Sequence, residues 1–235
     1  LPTGDGILTY FHNHLTPQGL VDKIGDIDAP HPQWSFIDWA EEWDATRGVP
    51  PATLKGPLTM ESLLYLLGLQ YAVAICRYLG QGQTAQRYQS RADALRQAIN
   101  RCCRNPDGIY RDGPQVQQFS QHCQGFAVLT GTCTPEDGRA NLLQTLKHPE
   151  QYARCSVAMM PYLFRALEQC DLYEQTQALW SPWRKMLQYH LTTCAEDLIR
   201  QRSDCHAWGA LALYELPSVV LGVRPAAPGY AKVSV

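Results

Sequence analysis

The sequence predicts an all-α chain built of helical hairpins, and three observations carry that prediction. From residue 58 onward, apolar residues recur at threes and fours, the spacing that gathers them on one face of a helix. Helices rich in apolar residues alternate with more polar, amphipathic ones, which suits an inner layer buried on most sides and an outer layer with one wet face. Helix-stop and turn signals punctuate the alternation at Gly80, at Asn105-Pro106-Asp107-Gly108 and before Pro135. The product is an (α/α) toroid or a stacked solenoid, two outcomes that periodicity alone does not separate.

Each element follows from its own pattern. Met60, Leu63, Leu64, Leu67, Tyr71, Ala74, Ile75 and Tyr78 make a long apolar helix that ends at Gly80. Residues 84–102 form a more amphipathic partner with an exposed basic face of Arg87, Arg91, Arg96 and Arg101, and the two pair as a hairpin. A second hairpin joins residues 119–129 to a helix from Pro135, a residue suited to a first helical turn, to about residue 146. Residues 157–170 and 173–189 give a third pair, with Pro161 near the start of one and Ser181-Pro182 kinking the other. The last helix, residues 207–221, is near-continuously apolar and interrupted by Pro217. The opening residues, Leu1 to Gly6, are polar and turn-like and read as a cut rather than a natural start. Residues 22–33, 109–113 and 192–204 are long for helix connections, and such loops are where binding groups tend to sit.

At 235 residues the chain buries one substantial core, so a single helical domain over residues 1–235 is expected. Its 20 basic and 22 acidic residues form no block of like charge, which argues against a nucleic-acid or anionic-membrane partner and favours a neutral ligand. The longest apolar run, residues 62–74, is too short to span a bilayer, and no signal-peptide pattern opens the chain. The nine cysteines include no C-x-x-C pair, which argues against a zinc site. They read as small buried hydrophobes, mostly reduced, and point to a cytoplasmic setting. No phosphate-binding loop, dinucleotide fingerprint or serine nucleophile elbow is present, so no cofactor and no metal are expected.

Two clusters combine acids with aromatic rings. Ser203-Asp204-Cys205-His206-Ala207-Trp208 follows Thr192-Thr193-Cys194-Ala195-Glu196, and Trp34-Ser35-Phe36-Ile37-Asp38-Trp39 precedes Glu41, Glu42, Trp43 and Asp44. Saccharides are held by such groups: an indole stacks on the C–H face of a pyranose, and a carboxylate moves a proton or activates water. Each residue also has a plainer reading. Glu196 is either a general base or a solvated loop acid. His206 either contacts a sugar hydroxyl or is a satisfied core histidine, and Trp208 either lines a subsite or is core. Asp38 is either a desolvated functional carboxylate or the N-cap of a short helix bearing Glu41 and Glu42.

The Thr192–Glu196 and Arg202–Trp208 segments, with Leu221-Gly222-Val223-Arg224-Pro225-Ala226-Ala227-Pro228-Gly229-Tyr230 after them, resemble the C-terminal part of the catalytic domain of bacterial α-L-rhamnosidases. The likeness continues through Phe36-Ile37-Asp38-Trp39, Phe119-Ser120-Gln121-His122-Cys123-Gln124-Gly125-Phe126-Ala127 and Met160-Pro161-Tyr162-Leu163-Phe164-Arg165-Ala166-Leu167, in order over nearly the whole chain. The resemblance implies an inverting six-hairpin glycosidase, of which this chain is an incomplete part. It places the general base on Glu196, sugar-subsite residues on His206 and Trp208, and subsite contacts on Asp38 and Trp39. With Trp34, the two clusters supply the expected platforms for a terminal rhamnoside. The acidic motif that carries the family's general acid has no counterpart here, so hydrolysis by this chain alone is expected to be negligible. The resemblance also implies β-rich domains flanking the helical part, with residues 230–235 as the entry to one of them.

The expected function is therefore that of an α-L-rhamnosidase-type hydrolase in a longer parent, with Asp38, Glu196 and His206 lining one cleft. The alternative is a non-catalytic helical-hairpin module that binds carbohydrate or protein, keeping the tryptophans as platforms and Glu196 as a structural acid.

Overall fold

The structure, a computed structural model, describes residues 2–25, 34–197 and 203–235. Parts of the expected loops 22–33 and 192–204 lie outside the described residues, as does Leu1.

The helices come in pairs. Helix α1 spans Pro2–Asn13, α2 Thr59–Tyr78, α3 Gly82–Cys102, α4 Gln121–Leu129, α5 Pro135–Lys147 and α6 Met160–Gln169. Helices α2, α4 and α6 form an inner row in which each touches the next, and α3 and α5 pack outside it against α2 and α4. Local chemistry sets the boundaries. Gly80 adopts φ +69° and turns the chain from α2 into α3. The Ser120 hydroxyl accepts from the Cys123 N–H at 3.3 Å at the start of α4, and the Thr134 hydroxyl accepts from the Asp137 N–H at 3.1 Å at the start of α5.

The amphipathic α3 points Tyr88, Ala92, Leu95 and Ile99 into the core that it shares with Leu63, Leu66 and Leu69 of α2. By length and composition α2 alone among the described helices would cross a membrane. Here it is instead the central element of the helical core, touching α1, α3 and α4.

Three expectations need correcting. The opening residues form helix α1 rather than a turn. Pro2 stands at its first position, where a fixed φ suits a helix start, and tertiary contacts outweigh the poor propensity of Gly4 and Gly6. Leu8 packs on α2 near Gly68, while Asp5 bonds the Arg87 guanidinium at 2.8 Å and the Tyr88 hydroxyl on α3. Residues 173–189 break into a 3-10 turn, α7 Thr176–Leu179 and α8 Ser181–Gln188, divided where Ser181-Pro182 predicts a kink. The apolar stretch 207–221 is a 3-10 turn, a short α9 Leu211–Glu215 and a π-turn Leu216–Val220 holding Pro217, and much of it faces outward: Leu213 is 81% exposed. A two-stranded antiparallel ribbon, β1 Arg224–Pro225 with β2 Val233–Ser234, closes the chain.

An ionic cluster ties that last stretch to α6. Glu215 is fully buried and takes hydrogen bonds from Arg165 and from the Tyr173 hydroxyl at 2.8 Å, while Glu168 bridges Arg165 to Arg224. Burial and then the Glu215 carboxylate push the Tyr173 phenol up to about 12, so it remains a donor across the neutral range.

Glu61, near the start of α2, is the costly residue of this core. It is buried with Oε2 unpartnered, and burial lifts its carboxyl from 4.5 to about 7, with the Ser35 hydroxyl opposing and Asp22 adding to the rise. Between those two pH values the folded chain holds a proton that the unfolded chain has released, so stability falls as pH rises through that window. Glu61→Gln is expected to flatten this decline and to stabilise the fold at pH 8 by up to about 3 kcal/mol. Urea unfolding of both proteins from pH 4.5 to 8 measures it, and parallel curves would show that Glu61 does not hold the extra proton.

Candidate functional site

A cavity of about 520 Å³ opens between the segment that carries Trp39, Glu41 and Glu42 and the region of α7 and α8. Gln121 at the start of α4 and Cys155 and Ser156 in the connection before α6 form its inner side, and Asp197 reaches it from the end of the 192–197 segment. Lys185 of α8 supplies a cation on the far wall. Near Trp39, Arg154 is held by two acids: its Nε lies 2.9 Å from Glu42 Oε1, its backbone N–H donates to Glu42 Oε2 at 3.2 Å, and its guanidinium reaches Glu41 at 3.3 Å.

Behind that cavity lies a buried polar knot. Asp38 is 0% exposed, and its Oδ2 accepts from His122 Nε2 at 2.7 Å and from the Ser156 N–H at 2.7 Å. Its Oδ1 accepts from the Trp39 N–H at 2.9 Å and from the Ser156 hydroxyl. His122 is equally buried, with the Trp43 ring 4.5 Å away on one side and Cys155 interacting with it on another. Burial works against its charged form, but the Cys155 sulfur and then Asp38 outweigh this and raise its pKa. Asp38 is buried and does not cap the turn Glu41–Thr46, which begins after Ala40 with no side-chain cap.

The backbone brings Asp38 to this place through a close approach that only glycine permits. The Gly48 carbonyl accepts from both the Ile37 and Asp38 N–H groups, at 3.0 and 3.1 Å. Gly48 has φ +81°, and a Cβ there would come within 2.5 Å of the Phe36 ring and 2.8 Å of the Asp38 carbonyl.

The C-terminal cluster is built the same way. The Glu196 N–H donates to the Ser203 carbonyl at 2.8 Å and the His206 N–H donates to the Cys194 carbonyl at 2.7 Å, so the two motifs lie side by side. Trp208 Nε1 donates to the Glu196 carbonyl at 3.2 Å, and the His206 ring lies against Trp208 at 4.2 Å. Trp183 Nε1 donates to the Gly209 carbonyl at 2.7 Å, and a Cβ on Gly209 would meet Cys194 Cβ at 2.5 Å.

The six sequence-chosen residues thus fall in different places. Trp39 faces the main cavity, and Asp38 lies directly behind it. Glu196 is 3% exposed and adjoins the cavity-lining Asp197, with His206 and Trp208 packed around its segment. Trp34 belongs to a separate hollow of about 300 Å³ with Lys23, Arg47 and Leu54, its indole N–H donating to the Arg47 carbonyl at 3.2 Å. Residues not singled out from the sequence are also here: His122, Ser156, Arg154, Lys185 and Asp197. His122 alone carried a signal, as an imidazole at the start of an otherwise apolar helix. All nine cysteines are free, five of them buried and only Cys205 exposed. No group of three metal-binding side chains occurs among the described residues.

No protein-family model matches the sequence, and no curated protein does either. Solved structures do. The GH78 family rhamnosidase of Bacillus sp. GL1 superposes over 99% of this chain with a TM-score of 0.82 and 25% identity. The chain has the fold of a portion of a GH78 rhamnosidase. It spans a quarter of the length of that protein, so the rhamnosidase fold is incomplete here. A rhamnosidase from Klebsiella oxytoca, solved with rhamnose bound, is similar in fold over 92% of this chain and 41% of its own, with a TM-score of 0.71 and 20% identity. The paired helices of this rhamnosidase-like fold bear out the hairpin architecture expected from the sequence.

Removing the carboxylate from the knot is expected to be severe. Asp38→Ala leaves His122 buried without its partner and should cost about 3–5 kcal/mol of stability. Because the His122 pKa is raised on folding, the pair's contribution is full below the ordinary histidine pKa and declines as pH climbs from there through the raised value. Denaturant unfolding of the variant and the parent should therefore show a large deficit at pH 6 that narrows at pH 8, and a deficit under about 1 kcal/mol at pH 6 would contradict the assignment.

Proposed function

We propose that this chain is the helical portion of an α-L-rhamnosidase-type glycoside hydrolase, acting with inversion on terminal α-L-rhamnosides in a longer parent. The observation that carries the reading is the superposition of 99% of the chain on a GH78 rhamnosidase, with the Trp39 and Asp197 ends of the two aromatic-acidic clusters bordering one cavity. Rhamnose is the ligand of the Klebsiella relative, and a cavity of about 520 Å³ holds a monosaccharide together with part of its aglycone.

In this reading Glu196 is the general base, and the Trp39 and Trp208 indoles with His206 define the sugar position. Trp34, in its separate hollow, lies outside that platform. The general acid comes from a part of the parent outside this chain and protonates the leaving oxygen. Inversion places the two carboxyls about 6.5–9.5 Å apart, with the attacking water between Glu196 and the anomeric carbon. The outward apolar residues Leu213, Tyr214, Leu216 and Leu221 suit contact with the flanking β-rich domains that the rhamnosidase reading implies. Nine free thiols fit a reducing, cytoplasmic setting.

The non-catalytic binding module stays as the second reading because Glu196 is buried while Asp197 borders the cavity. Activity on p-nitrophenyl α-L-rhamnoside separates the two. The isolated chain is expected to hydrolyse it negligibly and the longer parent to cleave it. In the parent, Glu196→Gln should lower kcat by about 10² or more with KM within a few fold, since the amide keeps the shape but cannot accept a proton from water. Near-normal kcat in that variant would leave Glu196 a structural acid.

A further inference from the structure

Trp39 takes part in the cavity wall through a backbone that is fixed from behind. Its N–H donates to Asp38 Oδ1, the same carboxylate that binds Ser156 through both its N–H and its hydroxyl. Trp39 and Ser156 both border the cavity, yet they come from segments more than a hundred residues apart. Asp38 is therefore the buried group that sets one wall against another, behind the exposed Arg154–Glu42 bonds. What orients Asp38 is His122, which enters from the first turn of α4 and donates Nε2 to Oδ2.

The ring itself has little freedom. Trp43 covers it at 4.5 Å, both partners of the pair are 0% exposed, and the Cys155 thiol interacts with it. A rigid helix start thus reaches the cavity wall through one imidazole and one carboxylate.

We propose that His122 is a positioning residue of the cavity: acting through Asp38, it fixes where Trp39 stands relative to Ser156 and so sets the geometry of the sugar platform. The platform role of Trp39 rests on the rhamnosidase reading, while the mechanical link from His122 to Trp39 does not. The link is more than packing, because a donor at the Nε2 position is what the carboxylate requires. A side chain of similar bulk without that donor leaves Oδ2 short of a partner and frees the carboxylate to rotate toward other donors.

The test uses this chain labelled with 5-fluorotryptophan, whose six fluorine resonances are assigned by single Trp→Phe changes. In His122→Phe the Trp39 resonance is expected to shift and broaden while that of Trp34, in the separate hollow, stays in place. L-Rhamnose binding, read by calorimetry, should weaken about ten-fold in the same variant. His122→Gln returns an N–H donor to about the Nε2 position and should restore both the resonance and the affinity. An unmoved Trp39 resonance in folded His122→Phe, or failure of Gln to restore it, overturns the proposal. If His122→Phe does not fold, Ser156→Ala decides the matter. It deletes one bond to Asp38 but keeps His122, so the Trp39 resonance should hold its position, and displacement there overturns the proposal. The fluorine readout needs no ligand, so a parent chain that fails to bind rhamnose would count against the rhamnosidase reading alone.

Discussion

The Asp38–His122 pair is the interaction on which the rest of the cavity depends. Burying a carboxylate beside an imidazole costs desolvation that a single contact does not recover. Here the cost is offset by filling the acceptor sites of Asp38 from three directions: an imidazole on α4, the N–H and hydroxyl of Ser156, and the adjoining Trp39 N–H. Each donor belongs to a different stretch of chain, so the carboxylate joins three segments, two of which are also linked by the buried Cys155 N–H bond to Gln121 at 3.0 Å. Gly48 completes the arrangement from the outside, where its carbonyl receives two N–H groups that a bulkier residue would push away.

The C-terminal half repeats this logic with a different chemistry. Glu215 is buried on an otherwise apolar stretch and is satisfied by Arg165 and Tyr173, while Glu168 passes the connection on to Arg224. Around it, Phe164 packs edge-on against Trp180, which in turn packs against Trp183, so α6 and α8 are joined by aromatic faces. Trp183 then anchors the Gly209 turn that keeps the Glu196 segment in place. The two halves of the molecule are thus held by separate buried devices, one continued by hydrogen bonds and the other by aromatic packing.

What the sequence revealed and what it withheld divide along physical lines. The helix pairs from residue 58 to 170 were legible because apolar periodicity, Gly80, the Asn105–Gly108 turn and Pro135 are local signals that packing reinforces. Helix α1 was not, because its Gly4 and Gly6 argue against a helix and it is stabilised by distant contacts, Leu8 on α2 and Asp5 with Arg87 and Tyr88 of α3. The stretch 207–221 misled in the other direction: its apolar composition suggested a buried helix, yet apolar character alone does not say what covers a face. Within the site, Asp38 and Trp39 were visible as an acidic-aromatic pair. Arg154, Ser156 and Asp197 were invisible because common polar residues in loops become meaningful only when distant segments meet.

The placement of the acids separates binding from catalysis. The groups that shape the cavity beside Trp39 are fixed by bonds wholly within this chain, since His122, Asp38 and Ser156 satisfy one another. Hydrolysis by inversion needs something further, a second carboxyl held at a set distance from the base with water between them. Glu196 is buried in a segment pinned by Ser203 and by the Trp208 indole, so its position is also determined locally. The positions of Trp39 and of Glu196 are therefore both set by contacts within this chain, whichever role each plays.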